Sequence, residues 1–276
     1  MTDDEVLDDV EPTGPVDPRE LAVRISRLKL MALSPAHYHA AVQKDTYSKE
    51  RGSALHSLVL GGKRVLAYPG KVRRGKEFDA FVAANTNSQI LTKADYARAE
   101  GMAASVRAHP HAMRVLAGQH EIELDWKFMG RNCQSHIDVI GGGGEWVTEL
   151  KSAVTSHPDR FAWQAKKFGY NAQIAFYWEA VLQSGLGIPR EAFVVAVESA
   201  PPYVVTVMRL TRQALDLGQR SFRLWMERLL GCEAANEWPG YVQDIVPLDV
   251  PDDEPELVFG SAELADEDGV VAEDAA

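Results

Sequence analysis

Residues 132–151 read NCQSHIDVIGGGGEWVTELK. Polar and apolar residues alternate up to Ile140, four glycines (141–144) interrupt them, and alternation resumes from Glu145. That pattern folds as two antiparallel strands joined by a glycine turn. If Ile140 pairs with Glu145, Asp138 faces Val147, and Asp138, Val147, Glu149 and Lys151 share one face of the sheet. Ile137, Val139, Trp146 and Leu150 then project from the other face into a core. Asp138 and Glu149 become diagonal neighbours with Cβ atoms roughly 7–8 Å apart. Two carboxylates so placed reach a common divalent cation, which relieves their mutual repulsion. Lys151 stands beside that ion, where it can hold or help deprotonate an attacking water.

Working outward, HEIELDWKFMG (120–130) supplies a third alternating strand before the hairpin. It contains Asp125-Trp126-Lys127, a second acid-x-lysine tripeptide. With no acidic residue ten to fifteen positions upstream, this copy reads as an ordinary surface strand. Residues 34–43, 47–61 and 94–109 carry helical spacing, with Ser34-Pro35 opening the first and Pro110 stopping the last. Two helical segments follow the hairpin, about 157–168 and 170–184. Strands AFVVAVES (192–199) and YVVTVMRL (203–210) come next, and a long helix, about 211–230, closes the ordered part. This order predicts one α/β domain, a central mixed β-sheet flanked by helices.

The 276 residues carry a net charge of -11, unevenly spread. Residues 1–20 hold eight acids and one base, and residues 249–276 hold eleven acids and no base. Residues 21–248, the predicted single domain, keep 21 acids against 28 bases, a net of +7. A basic core between acidic, disordered tails is compatible with a polyanionic substrate. The tails read as solvated segments or, in the alternative, as a DNA charge mimic competing for the core's own site. No apolar run approaches ~20 residues and the acidic opening lacks the pattern of a secretory leader, so a cytoplasmic location off the membrane is expected. Cys133 and Cys232 are too few for a disulfide framework, a zinc ribbon or a four-thiolate iron–sulfur cluster.

Three further features bear on chemistry. Gln173 and Tyr177 lie four apart on one helical face, either an aromatic contact within a helix or an amide and a phenol facing a phosphate. His56, in the otherwise apolar helix containing Gly52-Ser-Ala-Leu-His56, is a core histidine or, as a neutral imidazole, a further metal ligand. Lys63, Arg64, Lys71, Arg73, Arg74 and Lys76 form a run without acids, a solvated loop or a track for a nucleic-acid backbone.

The ordered set G-x-x-x-H, D-x(10)-E-x-K and Q-x-x-x-Y resembles the PD-(D/E)xK, restriction-endonuclease-like nuclease superfamily, in the branch of exodeoxyribonuclease VIII, related phage exonucleases and the RecB-type nuclease module. The stretches Ser34-Pro35-Ala36-His37-Tyr38, Arg51 to Ser57 and Glu198 to Tyr203 look similar too, and the similarity covers roughly residues 25–230. It implies a restriction-endonuclease-like core with a helical N-terminal part. It implies that His56, Asp138, Glu149 and the Leu150 carbonyl bind Mg²⁺ or Mn²⁺, that Lys151 serves the nucleophilic water, and that Gln173 and Tyr177 hold the DNA backbone. His136 stands where the family often has a basic residue. Glu123 and Glu198 are candidate outer carboxylates, or structural ones. The activity implied is a processive 5′ to 3′ exonuclease on double-stranded DNA ends, producing 3′ single strands for a recombinase or annealing protein, with ring-shaped oligomers known in the family. The alternatives are an endonuclease or single-strand-specific nuclease on the same fold, and a catalytically silent DNA-binding relative.

Overall fold

The computed structural model describes residues 21–41, 47–242 and 244–248, with side chains from Gly52 onward in the second segment. The acidic segments 1–20 and 249–276 lie outside the described residues. The chain opens with β1 (Val23–Arg24), α1 (Ile25–Leu28), a 3-10 turn (Lys29–Ala32), α2 (Pro35–Ala40) and α3 (Tyr47–Leu60). It continues through β2 (Arg64–Ala67), α4 (Lys76–Ala84), β3 (Ser88–Leu91), α5 (Lys93–Ala108) and α6 (Pro110–Val115). The central strands are β4 (Gln119–Phe128), β5 (Arg131–Gly141) and β6 (Trp146–Ala153). They are followed by α7 (Pro158–Phe168), α8 (Tyr170–Gln183), β7 (Glu191–Glu198), β8 (Val205–Arg209) and α9 (Arg212–Ala235).

Among the described residues the mixed sheet has six strands, with β4, β5 and β6 antiparallel, β6 and β7 parallel, and β7 and β8 antiparallel. On one side Leu28, Met31, Ile174, Phe176, Phe222, Met226 and Leu229 form a core with β4 and β5. On the other, Leu55, Met102, Ala103 and Val106 pack against Val139, Leu150, Val195 and Val197. The result is a sheet between two helical layers, the restriction-endonuclease-like architecture expected from the sequence.

The hairpin register differs from the expected one by two residues. Ile140 pairs with Val147 and Gly141 with Trp146, so the turn runs over 142–145. Gly142, Gly143 and Gly144 have φ of 57°, 67° and 95°, where a side chain is strained. Gly141 ends the strand because the Trp146 indole lies over it; a Cβ there would fall 2.1 Å from the ring. A shift of two preserves the faces but sets Asp138 opposite Glu149 instead of Val147. Val139, Leu150 and Trp146 pack together as expected, whereas Ile137 joins the α8–α9 core. Strand β4 is distorted nearby, with Glu121 at φ 51°.

Three elements escaped the sequence reading. Residues 63–91 form a small parallel unit, β2–α4–β3, with Tyr68 edge-on to Phe78 and Phe81. Pro110 stops α5 and also opens α6, whose Ala112 N–H is capped by the His109 ring. The two-residue β1 joins β5 in parallel at Cys133 and Gln134. The last strand begins at Val205, after a left-handed Tyr203, and not at Tyr203 itself.

Helices α8 and α9 meet at Gly218, where a Cβ would lie 2.3 Å from the Asn171 carbonyl oxygen. Overpacking of this kind typically destabilises by about 1–3 kcal/mol. The gain in helix propensity from Gly to Ala is about 1 kcal/mol, too small to offset a backbone clash. Gly218→Ala is expected to lower the melting temperature by about 2–8 °C in thermal denaturation.

Candidate active site

Strand β5 has one edge occupied along its length by β4. Its other edge carries β1 at residues 133–134 and β6 at 139–141. Among the described residues the edge is open between those two patches, and Asp138 stands where β6 leaves it. The ladder ends at Val139 and Thr148. One step further, the Asp138 side chain replaces the backbone partner: its Oδ2 accepts the Leu150 N–H at 2.7 Å. Strand β6 is meanwhile held on its far edge by eight paired residues of β7. The two strands therefore diverge around a fixed notch.

Helix α3 delivers His56 to this notch. Its Nε2 lies 2.9 Å from the Leu150 carbonyl oxygen, and its Nδ1 lies 3.4 Å from Asp138 Oδ1 and 3.6 Å from Glu121 Oε1. One ligand-type atom from each of His56, Glu121 and Asp138 falls within 4.8 Å of the others. Glu121 also holds His136, whose Nε2 is 2.9 Å from its other oxygen. Asp138 and Glu149 are only 6% and 4% exposed, so their charges are poorly solvated.

Glu149 faces a second set of partners. Its Oε1 accepts from Lys151 Nζ at 2.8 Å and from Gln173 Nε2 at 2.7 Å. Its Oε2 is buried with no hydrogen-bond partner among the described residues. Gln173 also donates to the Tyr177 hydroxyl at 3.0 Å and accepts from Lys29 Nζ at 3.2 Å. Both amide hydrogens of Gln173 are thus engaged, while the Tyr177 O–H proton remains available to donate. Gln173 and Tyr177 open onto a polar cavity of about 220 Å³ that Arg24, Ser26 and His136 also line.

The electrostatics follow from burial and crowding. Burial, then the Glu149 carboxylate, raises the Asp138 pKa to about 7. Burial alone would lower the His56 pKa; Asp138, Glu121 and Glu149 outweigh it and raise it to about 9. Burial also opposes the Lys151 ammonium, yet Glu149 and Asp138 hold it above the ordinary lysine range. Glu121 is lowered, first by its hydrogen bond to His56. Burial, then Glu149 and Asp138, pushes the Tyr177 phenol well up, so it stays a hydrogen-bond donor.

The protonated His56 therefore bridges three oxygen acceptors: Asp138, Glu121 and the Leu150 carbonyl. Carboxylates and a carbonyl with one imidazole suit a hard divalent cation. The unpartnered, buried Glu149 Oε2 is a further oxygen in need of positive charge. The residues present fit a divalent metal.

The structure brings together His56, Asp138, Glu149, Leu150, Lys151, Gln173 and Tyr177, all expected from sequence. Lys63 and Arg64 are exposed at the start of β2, and Arg74 is exposed before α4. Arg73 lies over the Phe78 ring at 5.9 Å. These four belong to the β2–α4–β3 unit, outside the carboxylate cluster. The decoy Asp125 and Lys127 are exposed on β4, and Asp125 accepts from Gln134. Glu198 has a structural partner, accepting the Ser156 N–H at 3.0 Å. Glu123 is exposed and paired with His136 across the ladder. Glu121 and Lys29 were missed. The pairing of β4 with β5 puts Glu121 level with Asp138, but its left-handed backbone has no signature in sequence.

Comparison with known proteins identifies the family and the fold. Residues 24–246 match the family described as "PDDEXK-like domain of unknown function (DUF3799)", and the chain belongs to that family. A candidate exonuclease from Eubacterium rectale has a similar structure, with a TM-score of 0.59 and 17% identity over 88% of this chain and 94% of that one. A phage-related exonuclease from Haemophilus somnus 129PT aligns with a TM-score of 0.36 and 14% identity, over 77% of this chain and 96% of that one. No curated protein matches the sequence. The first of these likenesses shows a shared fold. Among the described residues no helix is long and apolar enough to cross a membrane.

The protonation pattern sets a pH dependence for the chelated protein. His56, raised in the fold, contributes stability in full below about pH 6.5 and loses it as pH rises through about 9. Asp138, raised from 3.8 to about 7, also binds more protons folded than unfolded, so stability falls as pH rises across that interval. In EDTA, the melting temperature is expected to fall from pH 5 to pH 9, and Asp138→Asn is expected to flatten that slope. Melting curves across the series check both.

Proposed function

We propose that this PDDEXK-like chain is a divalent-metal-dependent exodeoxyribonuclease acting on double-stranded DNA ends, running 5′ to 3′ and leaving 3′ single strands for recombination. The observation that carries the reading is Glu149, fixed between Lys151 and Gln173 with one buried oxygen unpartnered beside the Asp138–Leu150 contact. A binding module has no use for that arrangement, since carboxylates this close to a phosphate repel it.

In this reading His56, Asp138, Glu149 and the Leu150 carbonyl hold Mg²⁺, with Mn²⁺ able to substitute, and Glu121 adds a carboxylate. The bound cation supplies Lewis-acid polarisation of the phosphate and lowers the pKa of water. Lys151 keeps its proton, so it orients the attacking water and stabilises developing negative charge. Gln173 holds Glu149 in place, and Tyr177 donates its free O–H to the phosphate. Lys63, Arg64, Arg73 and Arg74, with Lys71 and Lys76, give the separate β2–α4–β3 unit a basic surface for the duplex backbone. The 3′ strand is the substrate of a single-strand annealing protein or recombinase, and a ring-shaped homo-oligomer around DNA would make the digestion processive.

Lys151→Ala is expected to reduce cleavage by roughly 10²–10³-fold or more while leaving duplex binding in EDTA intact. The measurement is digestion of linear duplex labelled at either the 5′ or the 3′ end, with closed circles alongside. Early release of the 5′ label with circles spared supports the reading. Nicked circles would establish an endonuclease, and intact DNA with undiminished binding a silent relative.

Metal binding should also move protons, because His56 must shed its ring proton to become a ligand. Calorimetric titration of Mn²⁺ at pH 7.5, in buffers of different ionisation enthalpy, is expected to show net proton release. Glu149→Ala should weaken Mn²⁺ binding about tenfold or more. An unchanged Mn²⁺ affinity would remove Glu149 from the ligand set.

A further inference from the structure

We propose that the outer face of α7 is a stacking platform for single-stranded nucleic acid, with Trp163 beneath an unpaired base and Arg160, Lys166 and Lys167 on the adjoining phosphates. The proposal deepens the nuclease reading by giving the separated strand a place to lie.

Five of the six tryptophans are buried or half-buried; Trp163 is 73% exposed. Its indole makes no hydrogen bond among the described residues, and its one described ring contact is with the Lys166 ammonium, 5.6 Å from the ring. The fold gains little from a large aromatic left in water at such a position. Arg160, Trp163 and Lys167 are spaced i, i+3 and i+7, so they form one stripe along the helix, and Lys166 lies a turn beyond Trp163. All four are exposed. Within α7 these three cations stand against a single acidic residue, Asp159.

The stripe spans about 10 Å from Arg160 to Lys167, enough for the phosphates on either side of one base. A flat apolar ring between cations matches a base and its backbone, and bases expose their faces only when unpaired. A duplex offers phosphates but no ring faces, so the aromatic selects the single strand.

The platform is also tied to the site. Helix α7 follows directly on β6, which carries Glu149 and Lys151. Its inner face buries Phe161, whose ring is 5.9 Å from that of Tyr170. The Lys151 ammonium lies 5.0 Å over the same Tyr170 ring. Lys29, which holds Gln173, also donates to the Phe168 carbonyl at the end of α7 at 3.0 Å. The helix is therefore fixed relative to the reacting groups while its outer face is open.

The test uses the full chain in EDTA, which prevents hydrolysis, and a fluorescein-labelled oligo(dT) followed by anisotropy. Trp163→Ala is expected to weaken oligo(dT) binding about tenfold, as expected for one lost stacking contact, and Trp163→Phe to weaken it less. Binding of a blunt duplex should be unchanged, as should the melting temperature. Lys166→Ala with Lys167→Ala should reduce the salt slope of oligo(dT) binding by roughly 1.4. Equal oligo(dT) affinity in wild type and Trp163→Ala overturns the proposal, as does a change in oligomeric state with oligo(dT) affinity intact. Failure of the wild type to digest end-labelled duplex with Mg²⁺ would sink the nuclease reading and leave this binding result standing.

Discussion

One hydrogen bond organises the centre of this molecule: the Asp138 carboxylate takes the Leu150 N–H that a continuing hairpin would have given to backbone. An antiparallel pair normally closes over itself, leaving nothing but side chains above and below. Here the closure stops at Val139 and Thr148, yet no backbone donor at Leu150 is abandoned, because the side chain takes it. The strands can part only because each is secured elsewhere. Strand β4 runs along β5, and β7 runs along β6. The notch is thus a rigid defect in a rigid sheet. It exposes the Leu150 carbonyl to His56 and lets Glu149 meet Lys151 and Gln173.

Such a notch concentrates like charge, and its protonation state reflects that. Asp138 and Glu149 cannot both be ionised in a buried space without compensation. The compensation comes from two directions, His56 with Glu121 on one flank and Lys151 with Gln173 on the other. The same acceptors that raise the His56 pKa are those a divalent cation would use, so proton and metal compete for one set of oxygens. For a metal held there, the affinity would depend on pH through the same groups.

The hairpin was legible because period-two alternation and a run of glycines leave few other folds for residues 132–151. Its register was not, since four glycines can donate either three or four residues to a turn. The indole of Trp146, stacking on Gly141, decides it. Either register serves the site, because a two-residue shift keeps Asp138 and Glu149 on one face. His56, Gln173 and Tyr177 were legible through helical spacing, which says which residues share a face but not what they touch. Glu121 was hidden by a backbone distortion that sequence does not encode locally. The β2–α4–β3 unit was hidden because four-residue strands carry too little alternation to register. Pro110 ends one helix and equally begins the next, as its fixed φ suits a first helical position.

The assignment of donors in α8 shows how structure can divide a motif that sequence treats as one. Gln173 and Tyr177 sit on the same face, and spacing suggests the same role for both. Hydrogen-bond capacity separates them. An amide has two N–H groups, and Gln173 gives one to Glu149 and one to Tyr177, while Lys29 takes its carbonyl. For Gln173 to grip a phosphate it would have to release Glu149, and with it the orientation of a proposed metal ligand. Tyr177 receives a hydrogen bond and has its own proton left, held on the phenol by burial and by the carboxylates nearby. The helix therefore presents one residue whose amide is committed to the acid and one whose hydroxyl proton is uncommitted at the cavity. In the proposed reading the Gln-x-x-x-Tyr pair positions the acid and meets the substrate because its members differ in which hydrogens remain uncommitted.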